Sequence, residues 1–149
     1  MAVNFIDIDS GAKYSQKRAL KEWIKGAIKR EGRVCEDLTI ALCSDSYILE
    51  QNIASLGHNY ATDILTFEYN EDEIISGDLL ISTDTVRSNA KEYNVTFETE
   101  LHRVMIHGVL HLIGYDDHSD EDRAKMREME NLYLDIFEKE YSQISQAKK

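Results

Sequence analysis

Proline is absent from the chain, although average usage near 5% would give roughly seven in a protein of this size. Turns must therefore be built from Gly, Asn, Asp and Ser. Cysteine is nearly absent too, with only Cys35 and Cys43 present. If both lie on one extended strand, eight residues place them roughly 26 Å apart, far beyond the ~7 Å a disulfide spans. Two reduced, small apolar side chains are expected, and neither has a neighbour at metal-ligand spacing. A long hydrophobic run is also missing. The longest apolar stretch, residues 104–114, is broken by two histidines and falls short of the roughly 18 residues of a membrane span. The start, MAVNFIDIDSGAK, has no basic opening followed by an apolar block, so export is not signalled and a cytoplasmic protein is expected.

Positive charge is outnumbered, with 17 Lys and Arg against 28 Asp and Glu. The net charge of -11 argues against indiscriminate affinity for nucleic acid, which depends on neutralising phosphates, and no DNA partner is expected. The cations are concentrated, however. Residues 13–33 carry eight Lys or Arg against Glu22 and Glu31, a net +6. One basic element sits on an acidic body.

At 149 residues and 42% hydrophobic content, residues 1–149 suit one domain with one sizeable core. Residues 3–8 read as a strand with apolar side chains on both faces, hence covered on both sides. From residue 15 to 30, Leu20, Trp23, Ile24, Ala27 and Ile28 recur at helical spacing, and Gly32 suits the end. Lys17, Lys21, Lys25 and Lys29 form a stripe beside that face, which an ordinary solvated surface explains. Leu38, Ile40 and Leu42 predict a second strand. Ser44, Asp45 and Ser46 offer caps for a helix carrying Ile48, Leu49, Ile53 and Leu56 inward and stopping at Gly57. Apolar runs at 64–69 and 78–81 flank NEDEIISG and predict an antiparallel hairpin. Three helices follow: one from a cap among Ser82, Thr83 and Asp84 to about Tyr93, one over 97–113 capped by Thr96, and one from Ser119 through Phe137. The middle one is apolar nearly all round and should lie deep in the protein. Met126 and Met129 on the last are core residues. The final SQAKK reads as frayed. This order of elements predicts an α/β (α+β) sandwich, a small mixed four-stranded sheet with helices packed around it.

Four of the five histidines fall between 102 and 118. His107 and His111 are four apart, so on a helix their rings share one face, where two imidazoles can bind one ion. Two unpartnered histidines on an otherwise apolar helix would be costly. Gly114 lets the backbone leave the helix, so that a residue of YDDH can fold back as a third ligand. Three protein ligands leave a fourth position open, the catalytic zinc pattern rather than the structural one. His102, five residues before His107, falls on another face. The position after His107, where HExxH metalloproteases carry their glutamate base, holds Gly108, which disfavours that mechanism of peptide hydrolysis.

The segment HGVLHLIGYDDHSDED closely resembles the signature of the YbeY family, bacterial ribosomal RNA maturation factors regarded as metal-dependent endoribonucleases. ATDILTF at 61–67 and GDLLIS at 77–82 are similar to family segments in the same order. The resemblance covers most of the chain and implies a small α/β fold, a metal-dependent (zinc) endoribonuclease specific for single strands, one Zn2+ per chain, and ribosomal RNA and the ribosome, its small subunit above all, as partners. No membrane partner is implied. In that family the third ligand lies six residues beyond the second histidine, usually histidine and sometimes aspartate. Here that register gives Asp117, with His118 one residue later. A carboxylate is an acceptable zinc ligand and the register needs no loop shift, so the expected set is His107, His111 and Asp117. Iron, nickel or manganese would also suit these donors. Where the family often carries an arginine before the glycine and a proline before the threonine, this chain has Leu56 and Ala61. The arginine is the family's favoured phosphate-handling group; His58 is the nearest local substitute, and the basic helix at 17–30 is a second source of phosphate attraction. A non-catalytic ribosome assembly factor and a metal-dependent hydrolase of another substrate are the competing expectations.

Overall fold

The computed structural model describes residues 2–56 and 62–142. Gly57, His58 and Ala61, and the SQAKK end, lie outside the described residues. The order is β1 (Ala2–Asp7), α1 (Lys17–Arg30), β2 (Val34–Cys43), α2 (Asp45–Leu56), β3 (Ile64–Glu68), β4 (Ile74–Ser82), α3 (Thr83–Glu92), α4 (Phe97–Ile113) and α5 (Asp120–Ile136), continued by a π-helical turn at Phe137–Tyr141. Four strands form one mixed sheet in the order β1-β2-β4-β3. β1 and β4 each pair with β2 in parallel, and β3 closes the far edge antiparallel to β4. The mixed α/β sheet and the hairpin are those predicted, although β4 starts at Ile74 and takes in half of the polar segment between the two apolar runs.

The main core lies on one face of the sheet. Leu38, Ile40 and Leu42 of β2 and Ile75, Leu79 and Ile81 of β4 meet Leu20, Trp23 and Ile24 of α1, most of α4, and Met126, Met129 and Tyr133 of α5. The other face is only partly covered: α2 lays Ile48 over Ala41, Cys43, Leu65 and Leu80 and leaves β1 open. This corrects the expectation that residues 3–8 are covered on both sides. Ile6 and Ile8 remain 49% and 38% exposed, because β1 is an edge strand that α2 does not reach. A second correction concerns α2, where Asn52 turns inward and Ile53 is largely exposed. Asn52 stands one helical turn after Ile48, so the buried stripe is narrower than the apolar residues imply. Both cysteines are buried and free. A register shift between Cys35 and Leu38 puts them on opposite sheet faces, Cys35 in the main core and Cys43 under α2.

The caps agree with the sequence. The side-chain oxygens of Ser82, Thr96 and Ser119 accept the backbone N–H of Thr85, Thr99 and Asp122, satisfying otherwise orphaned first-turn donors. α4 is drawn close to the sheet at Gly108, where a Cβ would stand 2.6 Å from Ile64 Cδ1 and 3.0–3.1 Å from the Leu79 methyls. Gly108 is thus a packing residue as well as a missing base. Among the described residues no helix is long and apolar enough to cross a membrane.

Candidate metal centre

α4 presents His107 and His111 one turn apart, half-buried, with ring centroids 4.6 Å apart and planes at 82°. Their Nε2 atoms approach to 3.1 Å. α4 then ends at Gly114, whose φ of 124° is open to glycine and strained for other residues. Gly114 and Tyr115 both return their N–H to Leu110 O. This sharp exit carries Asp117 back over the histidines, its Oδ2 3.3 Å from His111 Nε2 and 3.6 Å from His107 Nε2.

The returning loop is tied down from two sides. Tyr115 donates its hydroxyl to Glu31 Oε1 at 2.7 Å, and Tyr133 donates to the other oxygen of the same carboxylate. Arg123, in the first turn of α5, donates Nη1 to the carbonyls of Asp117 and His118, each at 3.3 Å. His118 is carried outward. Its side chain is 81% exposed and its Nε2 lies 2.9 Å from Asp116 Oδ1. Among the described residues, the group that could hold a metal around the two histidines is completed by Asp117; His118 belongs to a second, more exposed group with Asp116 and Asp117.

Three lone-pair atoms facing one another at 3.1–3.6 Å repel unless a proton or cation lies between them. Ligands about 2.05 Å from a tetrahedral zinc stand roughly 3.3 Å apart, so the donor set fits a divalent ion by both chemistry and spacing.

Behind His107 stands Glu130, unremarked in the sequence. Its Oε2 lies 2.6 Å from His107 Nδ1, and its Oε1 accepts from Arg103 Nη1 at 2.8 Å. Arg103 in turn donates to Asn131 Oδ1 at 2.9 Å. Burial alone would raise the Glu130 carboxyl, but the hydrogen bonds from His107 and Arg103 outweigh it and hold it below the usual carboxylate range. Burial likewise disfavours the charged form of His107, yet the Glu130 bond and charge lift the imidazole above its ordinary value. A carboxylate accepting Nδ1–H fixes the tautomer and leaves the Nε2 lone pair for an ion. One signal for Glu130 was available: a carboxylate on the inward stripe of α5, one turn from Met126 and beside Met129.

His102 takes no part. It packs edge-on against Phe137 at 4.8 Å and near Trp23 at 6.2 Å, and burial holds its imidazole down to about 4.

Two cavities meet at the site, of about 390 and 220 Å³, and share His107, Arg127 and Glu130 along the seam of α4 and α5. Arg103 lines the larger and Arg123 the smaller. The basic stripe of α1 lines neither: Lys17 and Lys21 lie instead over the rings of Tyr14 and Phe5. The cations beside the histidines are therefore arginines of α4 and α5, supplied from far along the chain from Leu56.

The family described as Endoribonuclease YbeY matches residues 5–138. A protein of Parabacteroides distasonis named endoribonuclease YbeY is 43% identical over 140 residues, covering 94% of this chain and 99% of that protein. One of the same name from Bacteroides thetaiotaomicron is 45% identical over 119 residues, 80% of this chain and 87% of its own. A Thermotoga maritima protein known from a solution structure aligns with a TM-score of 0.68 at 32% identity, over 97% of this chain and 95% of that one.

Proposed function

The chain belongs to the endoribonuclease YbeY family, and from that premise we propose that residues 1–149 act as a single metal-binding domain, a zinc-dependent endoribonuclease that cuts single-stranded RNA. Its setting in this proposal is the cytoplasm, in ribosomal RNA maturation and late ribosome assembly or quality control, on or near the small subunit. The observation that carries the chemistry is the convergence of His107, His111 and Asp117 with Glu130 bonded behind His107.

His107 Nε2, His111 Nε2 and an Asp117 oxygen would hold the ion. Bound there, zinc supplies a Lewis acid that lowers the pKa of a water and offsets charge developing on a phosphodiester. The chain's own residues prepare that site. Glu130 keeps a proton on His107 Nδ1, so the ring faces the site with its lone pair. Arg103 compensates the buried Glu130 charge, which would be costly alone. Arg123 and the Tyr115–Glu31 contact hold the loop that delivers Asp117. Arg127 is exposed, borders both cavities and makes no hydrogen bond and no ion pair within 4 Å among the described residues, its charge being felt at Glu100. It stands ready for a phosphate as a planar, always-charged donor. With Gly108 after His107, no glutamate base stands at that position.

Incubation of the purified chain with single-stranded ribosomal RNA fragments, with and without chelator, tests this. Cleavage is expected with zinc, abolished by chelator and by His111→Ala; cleavage that survives both overturns the proposal.

A further inference from the structure

The larger cavity holds a carboxylate that the metal centre does not use. Glu100 is 6% exposed, lines the cavity with Tyr93, Arg103, His107 and Arg127, and its side chain makes no hydrogen bond and no ion pair within 4 Å among the described residues. Burial raises its carboxyl, as do the nearby charges of Asp63 and Glu130, with Arg103 and Arg127 opposing. Its oxygens are not sealed off but open into the 390 Å³ cavity, where they are poised for donors that arrive from outside. Glu100, Arg103 and His107 recur at i, i+3 and i+7, on one face of α4. Seven residues of helix separate Glu100 from His107 by about 10 Å along the axis, too far to touch the reacting phosphate and within a nucleotide's reach of it.

We propose that this cavity is a guanine subsite, in which Glu100 accepts two hydrogen bonds from the base of a nucleotide adjacent to the cut. The inference rests on the endoribonuclease reading given above. An ionised carboxylate is acceptor-only, with two oxygens side by side. On its Watson–Crick edge guanine offers two adjacent donors, N1–H and the 2-amino group. Cytosine and adenine set an amino donor beside a ring-nitrogen acceptor, and uracil sets its single N–H between two carbonyls, so each turns a lone pair toward one carboxylate oxygen. Single-stranded RNA exposes that edge, and reading it is the usual route to sequence preference. The rest of the cavity suits a nucleotide. Tyr93, 58% exposed, gives a ring on which a base can stack, and Arg127 lines both this cavity and the one that reaches Asp117, within the region the connecting phosphate would cross.

The test is fluorescence anisotropy with single-stranded RNA hexamers, identical except for one G, A, C, U or inosine, and the chelator-treated 149-residue chain so that no strand is cut. Wild type should bind the G hexamer about tenfold tighter than the A, C or U hexamers, a discrimination typical of one bidentate pair; inosine, lacking the 2-amino group, should lose most of it. Glu100→Gln and Glu100→Ala should bring G down to the level of the others, with zinc content before chelation unchanged and Tm no lower than wild type. Equal binding of all five hexamers, or a preference that survives Glu100→Gln, overturns the subsite. Cleavage mapping on zinc-loaded protein separates the two readings. Guanine-selective binding without cleavage keeps the subsite and removes the nuclease; zinc-dependent cleavage indifferent to guanine keeps the nuclease and removes the subsite.

Discussion

Glu130 Oε2 lies 2.6 Å from His107 Nδ1, joining the second turn from the end of α4 to the middle of α5 through a hydrogen bond from the imidazole to a carboxylate. A carboxylate behind a ligating histidine commonly contributes 10–100-fold to metal affinity. Glu130→Gln should weaken zinc binding by that order, read by competition with a chromophoric chelator. Unchanged affinity would reduce Glu130 to a structural partner of Arg103.

Asp117 and His118 are adjacent, but the structure turns them in opposite directions. Asp117→Ala should lose zinc, while His118→Ala should retain it, as measured by metal content after dialysis. Full zinc retention in Asp117→Ala would sink the aspartate.

Salt dependence distinguishes two sources of phosphate attraction. Arg127→Ala should weaken binding of short single-stranded RNA and reduce the slope of log K against log salt by roughly 0.7, one contact's worth on a single strand. Replacing Lys17, Lys21 and Lys25 together should leave short-RNA binding near wild type, since that stripe lines neither cavity. The reverse ranking would return phosphate handling to α1.

His102 is buried neutral, its folded value of about 4 below the ordinary 6.5 because burial penalises the charged ring, with Glu98 opposing. Between these values the unfolded chain binds more protons than the folded one, so stability falls as pH drops from 6.5 toward 4. His102→Leu should flatten that part of the profile, measured by urea unfolding in chelator at several pH values. An identical slope in the variant would assign the acid sensitivity elsewhere.

Gly108→Ala should destabilise by about 1–3 kcal/mol, the usual cost of overpacking a tight contact, because Ile64 and Leu79 close on the position. Urea unfolding checks this; wild-type stability would mean that the sheet yields.

Much of this was legible in the sequence, and the parts that were not share a cause. Helix α4, its Thr96 cap, its Gly114 exit and the His107–His111 face are local, set by spacing and capping within one segment. The open face of β1 and the inward turn of Asn52 depend on how far α2 reaches across the sheet, which no local pattern records. Glu130 and Arg103 lie 27 residues apart in the chain and meet only because α5 folds back along α4. Glu100 reads as a solvated helix residue until α3 and α5 close the cavity around it.

The most direct measurement is cleavage rate against zinc occupancy, titrating zinc into chelator-stripped protein with single-stranded RNA as substrate. The rate should rise from near zero, saturate at one ion per chain, and stay near zero in His111→Ala at the same zinc concentrations. Full activity in the stripped protein, or a rate indifferent to occupancy, would contradict a metal-dependent nuclease at His107, His111 and Asp117.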